Sequence, residues 1–340
     1  MGTKRNEEKK ASRQPGKLQT EKRPARADAK ASTEAAARTS TPHFRYRYLM
    51  GAMQQNMLTQ TVRLMCIDED VQKIPEFTQA WRAASTRMAS LAASEGGLPD
   101  AIQIADVPDS TRQRLAEIER DPLFRASFSA MPTTFKVIDV NSMIAPQREV
   151  NLDYVEEIQK RVPGTTIESL IDFCVGPRAQ PPELRTLQTA ANQMTYSSRS
   201  LDMRFLGGFP KAINESDRAA AHAGGQPVEV VTLLVGFGAA PINGWLVGKR
   251  FVLGNGFHRV VALRMSGITR IPVVVQDVSN AELEFPPNYL GLPRNYLLQA
   301  PRPVLVKDFF DQDLVVELRL KPRRKVVKVS WGEEDSVAPD

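Results

Sequence analysis

The chain has 340 residues, 42% hydrophobic and 25% charged, enough apolar material for one sizeable core or two modest ones. Its net charge is +6, and residues 1–42 supply all of it, with 11 Lys/Arg against 5 Asp/Glu; the remainder carries 34 of each sign. No apolar run reaches bilayer length and no apolar leader opens the chain. The two cysteines, Cys66 and Cys174, lack CxxC spacing, which argues against a disulfide framework or zinc site and for a cytoplasmic setting without membrane contact.

Residues 1–42 are rich in Lys, Arg, Ala, Ser and Thr and hold one large aliphatic, Leu18. Such a segment cannot offset its ordering entropy by burial and is expected to be disordered. It reads either as a basic contact for nucleic acid or as a solubilising terminus. From 43 to 94 the pattern is helical: Tyr48, Met53, Met57, Val62 and Met65 fall near one face. A second helix is expected over 75–93, with Phe77, Trp81, Met88 and Leu91 on its apolar side, and a third over 110–119.

Residues 135–140 alternate as a strand, and Asn151 caps a helix with Leu152, Val155 and Ile158 inward and Pro163-Gly164 at its end. Residues 165–226 are polar and mixed, with turns at Gly207-Gly208 and Gly224-Gly225. A buried strand is expected over 228–235. A hairpin follows around Gly248-Lys249, then a helix from Phe257 to Met265 stopped by Gly267, then a short buried strand over 271–275. The last block reads as a second hairpin: Leu314, Val316, Leu318 and Leu320 on one strand, Val327, Val329 and Trp331 on the other. Its turn, Lys321 to Lys325, carries four positive charges and is either a phosphate contact or a solvated turn.

Gly254-Asn255-Gly256-Phe257-His258-Arg259 is the segment that carries chemistry. Two glycines at a strand end permit a sharp turn and close backbone approach. The next helix offers free N–H groups and the positive end of its dipole. Arg259 can grip a phosphate with its fork of donors, and His258 can donate to it or shuttle a proton as a catalytic group. A tight turn alone would also explain the glycines, and a structural role would also explain His258.

The run from Leu253 to Leu263, followed by Gly267 and the Ile271-Pro272-Val273 strand, resembles the signature of the ParB/sulfiredoxin superfamily; the 137–148 strand and the helix after Asn151 resemble its opening element. The resemblance implies an α+β chain: a small ParB/sulfiredoxin-like α/β core over 131–280, with an insertion at about 165–226. A helical region over 43–130 precedes the core, a loop and β-hairpin over 281–340 follow it, and the disordered basic tail opens the chain. It further implies that Gly254, Asn255, Gly256, His258 and Arg259 bind the phosphates of a nucleotide, CTP or ATP with Mg²⁺; independently of the resemblance, no metal-ligating side chains are expected.

Departures from the family narrow the activity. Phe257 stands where sulfiredoxins carry their reactive cysteine, so that chemistry is excluded. Asn255 replaces the carboxylate of the free-serine kinase, and an amide is no general base. After residue 277 no helix-turn-helix pattern follows, unlike the partition proteins. The expected function is a ParB-like nucleotide-binding protein, regulatory or DNA-associated, with the tail as its nucleic-acid contact. A phosphotransferase or nucleotide hydrolase using the same loop, and an interaction module without ligand, are the alternatives. Oligomeric state is open.

Overall fold

A computed structural model describes residues 42–178, 180–220 and 227–336. In chain order the main elements are β1 (Phe44–Leu49), α1 (Gln55–Met65), α2 (Asp68–Val71), α3 (Ile74–Ser94), β2 (Ile104–Asp106), α4 (Arg112–Arg120), α5 (Pro122–Phe128), β3 (Thr133–Asp139), β4 (Glu149–Asn151), α6 (Leu152–Gln159) and α7 (Ile167–Val175). They continue with β5 (Arg185–Ala190), β6 (Gln193–Ser198), β7 (Met203–Lys211), α8 (Glu215–Ala220), β8 (Val230–Phe237), β9 (Asn243–Val247), β10 (Arg250–Asn255), α9 (Phe257–Met265) and β11 (Arg270–Val278). The last are α10 (Ala281–Glu284), β12 (Asn288–Tyr289), β13 (Leu292–Pro293), α11 (Arg294–Gln299), β14 (Val315–Leu320) and β15 (Lys325–Ser330). The chain is thus a mixed α+β protein, and among the described residues no helix is long and apolar enough to cross a membrane. The expected disorder of 1–42 (beyond residue 42 itself) and the Gly224-Gly225 turn lie outside the described residues.

The central sheet has the order β10-β9-β11-β3-β2. β9 and β10 form the hairpin expected around Gly248, whose φ of 60° suits its turn. β11 runs parallel to β9 and antiparallel to β3. α9 connects β10 to β11 and covers the sheet with Val260, Val261, Ala262 and Leu263, all buried. Ile271, Val273, Val274 and Val275 of β11 are fully buried, as a run of β-branched residues in a central strand requires. α6 lies against α9, capped by Asn151, whose side chain accepts from the Tyr154 N–H at 3.1 Å.

Five expectations are corrected. Residues 44–49 form a strand rather than the start of a helix: Tyr46 and Tyr48 are buried, and β1 is paired on both sides, by β14 and by β4. In α1 the inward residues are Leu58 and Val62, while Met57 and Met65 remain exposed. The 165–226 segment is not all insertion, because α7 places Leu170, Ile171, Cys174 and Val175 in the main core; what projects begins after Gly176. β8 is not buried: it pairs only with β7, and the two make a separate ribbon with Phe205, Leu206, Val231 and Leu234 exposed.

The fifth correction concerns the C-terminal hairpin. β14 and β15 both exist, but they do not pair with each other. β14 pairs with β1, and β15 pairs with β6 in the sheet β15-β6-β5. Residues 321–324 therefore cross from one sheet to another instead of closing a turn.

Candidate functional site

The glycine segment forms the end of β10 and the start of α9. Gly256 is the N-cap residue with φ of 93°, in the left-handed region; a Cβ there would sit 2.8 Å from Ile242 Cγ1. A Cβ on Gly254 would lie 3.0 Å from Asn243 Oδ1 and 3.2 Å from the Trp245 ring. Glycine is thus needed at the turn for both conformation and space. No side chain caps α9, so its first-turn N–H groups and the positive end of its dipole are left for another acceptor.

The side chains expected to grip phosphate are already engaged. Arg259 donates through Nη1 to the carbonyls of Phe173 (2.9 Å) and Cys174 (3.3 Å), and through Nη2 to the Ala240 carbonyl. The first two are terminal carbonyls of α7, where a cation is favoured by the helix dipole. Asn255 donates from Nδ2 to the Ala239 carbonyl. Arg259 and Asn255 therefore tie the 239–242 loop and α7 to the glycine turn.

His258 is half-buried. Its Nε2 accepts the backbone N–H of Asn151 at 3.1 Å, and the Tyr154 ring meets it edge-on at 5.3 Å between centroids. Accepting at Nε2 leaves Nδ1 as the protonated nitrogen of a neutral ring. Burial pushes the imidazole pKa down to about 4 against the weaker pull of Glu149 and Asp202. At neutral pH the ring is uncharged, and its lone pair is spent on α6.

Three further arginines border the turn. Arg148 donates from Nη2 to the Gly291 carbonyl at 2.7 Å, Nη1 faces Met57 Sδ at 3.5 Å, and Nε is buried without a hydrogen-bond partner. Gly291 belongs to the β12–β13 turn, whose Tyr289 hydroxyl donates to the Gly254 carbonyl at 2.5 Å. Arg178 (3.2 Å) and Arg204 both bond the single carboxylate of Asp202. These groups crowd Gly238, where a Cβ would come within 2.7 Å of Asp202 Oδ1, at the head of the loop that Asn255 and Arg259 hold. The charges of Arg178 and Asp202 reach Arg259, and those of Arg204 and Asp202 reach Tyr289, whose hydroxyl burial raises to about 12. Two cations sharing one carboxylate leave a net positive rim.

The structure thus brings Gly254, Asn255, Gly256, His258 and Arg259 into one turn, but assigns the last two to holding it together. Arg148 was visible in the opening element as a residue without a role. Arg178 and Arg204 lie in the polar stretch after α7 and carry no local signal. Cys174 is fully buried with its thiol pushed up to about 12 by burial, so it offers no thiolate here. Among the described residues no group of three His, Cys, Asp or Glu side chains could hold a metal ion.

The turn thus presents an uncapped helix start behind the closely packed Gly254 and Gly256, with the Arg148 Nε buried and without a hydrogen-bond partner. Searches against family models, curated proteins and solved structures each give no match.

Proposed function

We propose that this chain is a ParB-like protein that binds the phosphates of a nucleotide, CTP or ATP, at the Gly254–Gly256 turn, in a regulatory or DNA-associated role. The observation that carries the reading is an uncapped α9 N-terminus behind Gly256, held at a positive φ, and the closely packed Gly254, bordered by Arg148, Arg178 and Arg204. Backbone N–H groups of the turn would meet one phosphate, and the arginines would neutralise the others. Mg²⁺ would enter with the nucleotide and screen its charge. His258 and Arg259 act as positioning residues: the first locks α6 to α9, the second locks α7 and the 239–242 loop to the turn.

Binding without turnover is favoured over phosphotransfer or hydrolysis. The imidazole lone pair is occupied, Asn255 has no basic group, and Asp202 is neutralised by two arginines. Calorimetric titration of the full chain with CTP, ATP and GTP in Mg²⁺ tests the proposal. Saturable heat with one of them, weakened about tenfold in Arg178→Ala, is expected, corresponding to loss of one charge-assisted contact of about 1.4 kcal/mol. Absence of heat with all three overturns it in favour of an interaction module.

A further inference from the structure

The sheet β15-β6-β5 stands apart from the glycine turn and has a charge of its own. Residues 181–200 and 321–331 carry seven Lys/Arg and one Asp/Glu, although residues 43–340 as a whole are neutral. Five of these cations, Arg185, Arg199, Arg324, Lys325 and Lys328, lie on or beside this small sheet.

Register explains why the cations converge. Lys325 faces Ser198 across β15–β6, and Arg185 faces Ser197 across β6–β5, so Arg185, Arg199, Arg324 and Lys325 gather at one end. The Glu183 carboxylate feels Arg185, Arg199 and Arg324 together, which places all three around it. Glu183 pairs with Arg185 at 2.7 Å. Lys321 and Arg323 turn the other way, to Asp68 and Glu149. Arg199, Arg324, Lys325 and Lys328 are all exposed and hold no ion pair among the described residues.

The face that carries Lys328 is open and mixes polar residues with the exposed Leu187 and Val326, while Lys325 projects from the opposite side. Arg185, Gln193, Thr195, Ser197 and Lys328 share one side of the sheet by register, and all of β5 is exposed. Hydroxyl and amide donors flanked by unpaired Lys and Arg are the set that holds phosphodiester oxygens in protein–nucleic acid contacts. A six-residue strand is about 20 Å long, enough to follow roughly six nucleotides of one strand at 3.4 Å axial spacing.

We propose that the face of β15-β6-β5 that carries Lys328, with Arg199 and Arg324 at its end, binds the phosphodiester backbone of nucleic acid without reading its sequence. This surface is distinct from the basic N-terminal tail and does not depend on nucleotide binding at the glycine turn. Charge argues for it: three unpaired cations predict a log–log salt slope between about −2 and −3.

The test is fluorescence anisotropy of the full chain with labelled 20-mers, as single-stranded DNA, duplex DNA and RNA, across a salt series. An Arg199→Gln/Arg324→Gln/Lys328→Gln variant, altered only at exposed positions, is compared with a Lys9→Gln/Lys10→Gln/Lys17→Gln control in the tail. The sheet variant is expected to bind at least about tenfold more weakly near 100 mM salt, with its slope reduced by about 2. The same loss on DNA, on RNA or on both supports the proposal, and the three probes identify which backbone is preferred. Unchanged affinity and slope in the sheet variant overturn it, as does binding lost only in the tail control. Binding to phosphatidylserine vesicles with none to any oligonucleotide also overturns it.

Discussion

Arg259 gives its guanidinium to three carbonyls, so an alanine there strands acceptors on α7 and on the 239–242 loop. Losing charge-assisted bonds of this kind costs about 2–4 kcal/mol. Arg259→Ala is therefore expected to lower the urea midpoint markedly, and Arg259→Lys to recover only part of it, because an ammonium cannot span the fork. Equal midpoints for wild type and Arg259→Ala would remove the structural role. Gly256→Ala forces a side chain into a φ of 93° and against Ile242, and is expected to cost at least about 1–2 kcal/mol in the same assay. For His258 the sign follows from its depressed pKa. The unfolded imidazole takes up a proton near 6.5, whereas the folded one does so only near 4. Between those values the unfolded state binds more protons, so stability falls as pH drops from about 6.5 to 4, by up to about 3 kcal/mol. His258→Gln keeps an acceptor for the Asn151 N–H and is expected to flatten that part of the stability–pH curve. A curve of unchanged slope would contradict burial of the neutral ring.

Among the elements, β8 and β11 share a β-branched composition but differ in cover. β11 lies between β9 and β3 under α9, while β8 has β7 alone. Val274→Ala is expected to cost about 1–3 kcal/mol, and Val231→Ala, at a residue 66% exposed, within about 0.5 kcal/mol, both measured by thermal melting. That contrast also marks what the sequence could convey. α9 matches its expected bounds because Gly256 and Gly267 punctuate it, and β9, β10 and β11 follow from turn glycines and runs of Val and Ile. α7 had a readable period in Ile167, Leu170, Ile171, Cys174 and Val175, which the polar stretch after it obscured. β1 was read as helix because both of its partners are distant, β14 lying some 270 residues away. Alternation located β14 and β15 but says nothing of which strand each one meets. The site divides in the same way: its glycine turn is local and legible, whereas Arg148, Arg178 and Arg204 reach it only through tertiary contacts.

At the scale of the molecule, β1 sits between β14 and β4, so the first and last parts of the main fold meet in one sheet. β4 leads directly into α6, and the Asn151 N–H at that junction is the donor to His258. The sheet therefore connects the closure of the fold to the glycine turn. Leu314, Leu318 and Leu320 are each fully buried in the cluster around Tyr46, Tyr48 and α1. Burying three such side chains contributes about 5–9 kcal/mol, comparable with the whole net stability of a domain. Arg319 donates from Nε and Nη2 to one oxygen of the buried Asp70 carboxylate and from its backbone N–H to the other. A chain ended after Asp313 is accordingly expected to lose its cooperative melt and any nucleotide heat, while one ended after Leu320 keeps β14 and retains both. Circular dichroism melting of the two, followed by nucleotide titration of the longer, checks this. If both truncations melt alike, pairing between the two ends of the fold does not hold the turn in place.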